Sequence, residues 1–233
     1  HRLNKKYPKQ EISEPVEPIV YYIDNGTPEP VKSALIEGGN WWNQAFESAG
    51  YKDAFRIEVL PEDADPMDVR YNLIQWIHRS TRGWSYGASI VDPRTGEIIK
   101  GQVSLGSLRV RQDYMILSGL IDNPNDIENK SLIKKTSLDR IRQLSAHEIG
   151  HTLGFAHNYI SSANNRSSVM DYPHPKIDIV NGNINIDNAY SKNIGDWDKV
   201  SVRYAYTDFQ ENENEDVKLN DIIEEAVNKG LYF

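Results

Sequence analysis

Hydrophobic and polar residues follow patterns along the first quarter of the chain that predict strands around a helix. Residues 19–23 form a short run of β-branched and aromatic residues, and residues 55–59 alternate apolar with charged side chains, so both are typical of strands. Between them, apolar residues recur at helical spacing, which predicts one helix from Thr27, as its N-cap, to about Gly50. The residues expected on its buried face are Val31, Leu35, Trp42 and Phe46.

Three further strands are predicted before the middle of the chain. Residues 71–77 are almost continuously apolar, which is typical of a strand at the centre of a sheet. Residues 86–91 and 97–105 flank the segment Asp92-Pro93-Arg94-Thr95-Gly96, whose composition is typical of a hairpin turn. These segments predict a sheet whose last two strands are neighbours.

Helices are predicted over much of the remaining chain. One covers residues 110–120, and the next, longer helix is expected to have Thr136 or Ser137 as its N-cap. Asp196 is expected to cap a helix over residues 196–206, and an amphipathic helix is predicted over residues 220–228. The whole order predicts an α/β (α+β) fold.

Composition and charge exclude several classes of protein. The 233 residues are 39% hydrophobic, which is ordinary for a globular chain that buries a core. The net charge of −8, with no basic stripe, argues against a nucleic-acid partner. The chain has no cysteine, so it forms no disulfide and offers no thiolate to a metal. No apolar run approaches the ~20 residues that span a bilayer, so no membrane span is expected.

The strongest chemical signal lies in the longer helix, as the sequence His147-Glu148-Ile149-Gly150-His151-Thr152-Leu153-Gly154-Phe155-Ala156-His157. The first two histidines are four residues apart, which places both imidazoles on one face of a helix, within reach of one metal ion. Gly154 permits a left-handed turn that ends the helix, so His157 can return as a third ligand. Three protein ligands leave one position for water, the arrangement of a catalytic zinc.

This pattern, H-E-x-x-H-x-x-G-x-x-H followed by Met170, resembles the metzincin clan of zinc metalloproteases. More closely, residues 18–172 resemble the Met-zincin domain of bacterial (Bacteroidetes-type) zinc-dependent metalloproteases. The resemblance implies a zincin-like twisted mixed sheet with a backing helix and an active-site helix, followed by a smaller helical C-terminal part. We therefore expect an extended arm or linker over residues 1–17, an N-terminal zincin subdomain over 18–157 and a C-terminal subdomain over 158–233.

The expected chemistry is hydrolysis by a water molecule that zinc activates. His147, His151 and His157 would hold Zn²⁺, and Glu148 would act as the general base and later protonate the leaving amine. The resemblance implies that Met170 forms an apolar floor beneath the imidazoles. The motif Ser168-Val169-Met170-Asp171-Tyr172 is similar to the turn of astacins and serralysins, which implies that Tyr172 stabilises the oxyanion. A purely structural tyrosine is the alternative.

The expected function is zinc-dependent endopeptidase activity on an extended polypeptide. In the metzincin clan the strand before the last one is antiparallel and forms the edge of the sheet. The resemblance implies that residues 85–90 form this edge strand, to which an extended substrate would add as a further strand. Three alternatives stay open: a catalytically latent, zinc-containing peptide-binding module, a zinc hydrolase of a non-peptide amide, and a domain that holds zinc for stability. The start at His1 instead of methionine indicates a piece of a longer protein with further domains. The resemblance implies an extracytoplasmic location, whether periplasmic, surface-bound or secreted.

Overall fold

A five-stranded sheet forms one layer of the protein in the computed structural model, which describes residues 1–81, 83–172, 174–210 and 212–233. The strands, in chain order, are β1 (Ile19–Ile23), β2 (Phe55–Val59), β3 (Asn72–Ile77), β4 (Tyr86–Val91) and β5 (Ile98–Gly106). They lie in the order β2-β1-β3-β5-β4. All neighbouring pairs are parallel except β4 and β5, so β4 is an antiparallel strand at one edge.

Helices cover the sheet and form most of the C-terminal part. They are α1 (Val31–Asn40), α2 (Trp42–Ser48), α3 (Leu108–Ser118), α4 (Ile127–Thr152), α5 (Asp196–Tyr206) and α6 (Glu215–Asn228). A 3-10 helix covers Tyr159–Ala163, and a small hairpin joins β6 (Asp178–Val180) to β7 (Asn183–Asn185). The α+β fold class, with a mixed sheet and a helical C-terminal part, is confirmed.

The predicted strands are confirmed to within one residue at each end, but the backing helix differs from the prediction in two ways. It begins at Val31 and not after Thr27, because Pro30 disfavours helical backbone at the residue before it. It is also divided at Trp41, whose N–H bonds to the carbonyl of Gly38 at 3.3 Å, three residues back. The four residues expected on the buried face, Val31, Leu35, Trp42 and Phe46, are all buried.

The long helix α4 begins well before the predicted caps. Its N-cap is Asp126, whose carboxylate accepts the N–H of Glu128 at 3.0 Å. Thr136 and Ser137 lie buried in the helix interior, so the prediction that one of them caps the helix was wrong. Ser137 satisfies its hydroxyl by donating to the carbonyl of Ile133 at 2.8 Å, which makes a serine compatible with a mid-helix position.

Helix α4 is fixed along its C-terminal half by buried polar contacts from three elements. Ser145 donates to the carbonyl of Leu35 on α1 at 2.7 Å, and the indole of Trp42 on α2 donates to the carbonyl of Ala146 at 2.9 Å. From the sheet, the hydroxyl of Tyr21 on β1 donates to Thr152 at 2.8 Å. The end of α4 therefore has one position relative to the sheet and to α2.

The arm of residues 1–17 packs against this domain. It folds back on itself through a bridge between Lys5 and Pro15, and Leu3 is buried in the main core. The hydroxyl of Tyr51 donates to the carbonyl of Leu3 at 2.8 Å. Within the described ranges, no helix is both long enough and apolar enough to cross a membrane. The division of the chain into subdomains at residue 157 stays a prediction.

Close approach of α1 to α4 requires a glycine, which generates a prediction for stability. A Cβ atom on Gly38 would overlap the backbone carbonyl of Arg142 on α4. Gly38→Ala should therefore lower the free energy of unfolding by about 1–3 kcal/mol, the usual cost of overpacking. Urea denaturation of the variant and the parent measures this difference.

The control is Gly119→Ala at the end of α3, where φ is −74° and the nearest atom to an added Cβ lies at 3.5 Å. This variant should keep or slightly raise stability, because alanine has the lower conformational entropy in the unfolded chain. Equal stability of Gly38→Ala and the parent would contradict the tight α1–α4 contact.

Candidate metal centre

Three imidazoles converge at the C-terminal end of α4. The Nε2 atom of His157 lies 3.0 Å from that of His151 and 3.3 Å from that of His147. Their potential ligand atoms all lie within 4.8 Å of one another. Since His147 and His151 are one turn apart on α4, the helix places two rings, and the loop that follows it brings back the third.

The return of that loop depends on how α4 ends. Gly154 has a φ of +101°, in the region that favours glycine, and the N–H of Phe155 bonds to the carbonyl of Gly150 at 3.0 Å. The buried hydroxyl of Tyr206 on α5 donates to the carbonyl of Leu153 at 2.9 Å. The chain therefore reverses directly after the helix, as the glycine in the motif predicts.

The second ring nitrogen of each histidine has a hydrogen-bond partner. Nδ1 of His147 lies 2.7 Å from the carbonyl of Val169, and Nδ1 of His151 lies 2.9 Å from the carbonyl of Phe155. A carbonyl only accepts, so both Nδ1 atoms carry the proton and both Nε2 atoms keep a free lone pair. Nδ1 of His157 lies 2.9 Å from the hydroxyl of Tyr159.

This donor set fits a zinc ion. Ligating histidines usually donate their other N–H to a carbonyl, a carboxylate or water, which fixes the tautomer and the ring orientation. Burial lowers the pKa of His147 to about 3 and also lowers the pKa of His157. Both imidazoles are therefore neutral at physiological pH, the protonation state that a metal ligand requires.

Glu148 lies beside this histidine group, buried against the edge strand. Burial raises the pKa of its carboxyl to about 7, against the lowering effects of a hydrogen bond from the N–H of Gly87 and of the charges on Arg140 and Arg109. A side chain at Gly87 would overlap the carbonyl of Glu148, so a glycine lets β4 lie directly against α4. With a pKa of about 7, the carboxyl is partly ionised at neutral pH, and it lies next to the edge strand β4.

An open cleft of about 680 Å³ gives access to these groups. One wall is the edge strand, and the other consists of the end of α4 and the loop after it. Its polar and aromatic lining groups include His147, Glu148, His151, His157 and Tyr172, together with residues 85–89 of the edge strand.

The turn after the third histidine supplies Met170 and Tyr172. Met170 is buried, and its sulfur lies so close to Gly150 on α4 that a Cβ there would overlap it. Its role as an apolar floor beneath the imidazoles stays a prediction. Tyr172 is 58% exposed, and its ring centroid lies 4.5 Å from that of His157 and 5.3 Å from that of His147. Desolvation raises the pKa of Tyr172, so its hydroxyl keeps its proton at neutral pH.

A buried carboxylate that the sequence analysis missed holds this turn in place. Asp198 on α5 accepts the hydroxyl of Ser168 at 2.6 Å, the N–H of Val169 at 2.8 Å and the N–H of Gly195 at 2.7 Å. Burial raises its pKa to about 6 in spite of these three donors. The expectation that Asp196 caps α5 was wrong, because the N-cap is Gly195 and the capping carboxylate belongs to Asp198.

Tyr159 is a second residue that the sequence analysis missed. It follows His157 by two residues, and its hydroxyl contacts Nδ1 of that histidine. Its nearness to the third histidine in the sequence is the one signal that pointed to it. Asp198 had a weaker signal, since an acid in the first turn of a helix ordinarily has only a local capping role.

Comparison with known families agrees with this geometry. Residues 129–233, which include most of α4, the turn at Met170 and both C-terminal helices, match the model of the Met-zincin family. The match and the three histidines within ligating distance confirm the resemblance to metzincin-type metalloproteases. They support a zinc metallopeptidase-like function in general terms. No curated protein and no solved structure matches the chain.

Asp198 generates a prediction for stability. Asp198→Ala leaves the buried N–H of Val169, the buried hydroxyl of Ser168 and the partly buried N–H of Gly195 without their acceptor. The free energy of unfolding should fall by about 2–6 kcal/mol, since each of the two buried donors left unpaired costs about 1–3 kcal/mol. Urea denaturation at neutral pH measures the loss.

Asp196→Ala is the matched control, because Asp196 is 72% exposed and forms a surface ion pair with Lys199 at 2.9 Å. Its removal should change stability by less than about 1 kcal/mol. Similar losses of unfolding free energy in the two variants would show that the contacts of Asp198 with the turn contribute no more to stability than the surface ion pair of Asp196.

Proposed function

We propose that the protein is a zinc-dependent endopeptidase that hydrolyses peptide bonds in an extended polypeptide. The observation that carries the proposal is the shared cleft. The three histidines and Glu148 line one open cavity, beside the edge strand β4. A metal site built only for stability would have no need of such an opening.

The metal centre would consist of His147, His151 and His157. A bound Zn²⁺ would supply Lewis acidity, which polarises the scissile carbonyl and lowers the pKa of water. Glu148 is the general base of the proposal: it accepts the proton of the attacking water and delivers it to the departing amine. Support comes from its pKa of about 7, because a base is most effective when its pKa is near the working pH.

The edge strand β4 supports a polypeptide as the substrate. Among the described strands it pairs only with β5, and residues 85–89 line the cleft. An extended peptide could add to β4 as a further strand. Main-chain hydrogen bonds would then recognise the peptide backbone, largely independently of the peptide's side chains. A small non-peptide amide would make no use of this edge.

Tyr172 is the proposed oxyanion donor. Its ring lies beside the rings of His147 and His157. Desolvation raises the pKa of its hydroxyl, which therefore keeps the proton that a hydrogen-bond donor needs. A hydroxyl fixed at the rim of the metal centre can stabilise the negative charge that develops on the carbonyl oxygen. The extracytoplasmic location implied by the family resemblance stays a prediction.

The role of Glu148 is tested by an isosteric change. Glu148→Gln should keep one zinc per chain, because no histidine is altered, and should lower kcat for a peptide substrate by roughly 100-fold or more, as expected for loss of a general base. Elemental analysis gives the metal content, and cleavage of a mixed peptide library before and after treatment with a chelator gives the activity.

Glu128→Gln, at the exposed start of the same helix, is the control and should keep both zinc and activity. Full activity in Glu148→Gln would exclude the proposed base. A parent protein that binds zinc and cleaves no peptide would instead favour the latent peptide-binding module, and cleavage of small amides alone would favour the amide hydrolase.

Tyr172→Phe tests the oxyanion role. The ring stays in place beside His157, and only the hydroxyl is lost. The value of kcat should fall roughly 10- to 1000-fold with little change in KM, the range for loss of one oxyanion donor. Tyr204→Phe is the control: it alters a different tyrosine, half-exposed and on α5, and should leave kcat unchanged. An unchanged kcat would reduce Tyr172 to a structural residue.

A further inference from the structure

The three histidines differ in what holds their second ring nitrogen. His147 and His151 are bonded to backbone carbonyls, whereas the partner of His157 is the side chain of Tyr159. The hydroxyl of Tyr159 lies 2.9 Å from Nδ1, and the two rings have centroids 5.1 Å apart with an angle of 29° between their planes. The third histidine therefore depends on a side chain for its orientation.

His157 needs such a partner more than the other two histidines do. His147 and His151 lie on the largely buried C-terminal half of a long helix, which limits their rings to the few rotamers that a helix allows. His157 lies in a loop after the helix, with no regular secondary structure at its own position. Without a bond at Nδ1, its ring is free to rotate and to present either nitrogen to a metal.

The backbone around Tyr159 is fixed firmly enough to place its hydroxyl. Asn158 is buried, its N–H bonds to the carbonyl of Met170 at 2.8 Å, and its amide donates to the carbonyl of Tyr232 at 2.8 Å. Ser161 donates to the carbonyl of Asn158 at 2.8 Å and closes the first turn of the 3-10 helix. Tyr159 thus starts a short helix that is attached to the turn beneath the histidines.

We propose that Tyr159 is a positioning residue for the metal centre. Its hydroxyl accepts the Nδ1 proton of His157, which leaves the lone pair of Nε2 directed towards the other two histidines. This inference rests on the proposed zinc site and adds a partner of the third ligand that the sequence motif does not contain. Tyr159 acts through His157, in contrast to Tyr172, whose proposed contact is with the substrate.

Zinc affinity tests this role without reference to catalysis. Tyr159→Phe keeps the ring that packs on His157 and removes only the acceptor. Its Kd for zinc, measured by competition with a chromogenic chelator, should rise about 10- to 100-fold, as for other residues that orient a metal-binding histidine. Tyr7→Phe is the matched control, because Tyr7 is 50% exposed, similar to the 58% of Tyr159, and lies in the N-terminal arm.

A double-mutant cycle separates positioning through His157 from a general effect on the fold. In a His157→Ala background, Tyr159→Phe should cause no further loss of zinc affinity, and the thermal midpoint of the metal-free protein should be the same with either residue. A Kd for Tyr159→Phe within twofold of the parent, or an equal loss in both backgrounds, would overturn the proposal.

The same titration distinguishes this proposal from the proposed function. A parent chain that binds no zinc would overturn the metal centre, and the role of Tyr159 with it. A parent chain that binds zinc without cleaving peptides would contradict the peptidase activity, while the comparison of Tyr159→Phe with the parent would still decide the role of Tyr159.

Discussion

Two backbone carbonyls, of Phe155 and Val169, determine how the metal centre is built. They accept the Nδ1 protons of His151 and His147, so that both rings present Nε2 on the same side. Phe155 is close to its histidine in the sequence, but Val169 lies in a turn that must return beneath α4 to reach His147. Every element that fixes the course of the chain between α4 and that turn therefore acts on the geometry of the histidines.

The path of the turn that carries Val169 depends on a carboxylate in the C-terminal part of the chain. Asp198 binds the backbone of Val169 and the hydroxyl of Ser168, and this hydroxyl accepts the N–H of Met170 at 2.9 Å. Burial of a carboxylate is costly unless hydrogen bonds compensate, and here the donors also shape the turn. The start of α5 is thus coupled to His147 through a continuous series of polar contacts. These contacts attach the start of α5 to the histidine cluster.

The sequence predicted the parts of this structure that depend on local periodicity. The five strands, the buried face of α1 and α2, and the spacing of His147 and His151 each follow from patterns within a few residues. The caps at Thr136 and Ser137 were wrong, because a serine hydroxyl can also bond inside its own helix, and only packing decides between the two arrangements. The role of Asp198 in the turn was missed since two of its three partners, Ser168 and Val169, lie about thirty residues away in the chain, a distance at which periodicity carries no information.

Tyr159 is intermediate between the features that local patterns predict and those, such as Asp198, that they miss. It is close to His157 in the sequence, but its role depends on a side-chain rotamer that no sequence pattern specifies. The resulting metal centre has two ligands on a rigid, buried helix and a third on a loop near solvent. This asymmetry follows from the need for access. The substrate of the proposed peptidase would enter through the open cleft beside β4 and Tyr172. The proposed role of Tyr159 is to orient His157, the histidine on this open side, through a side-chain hydroxyl.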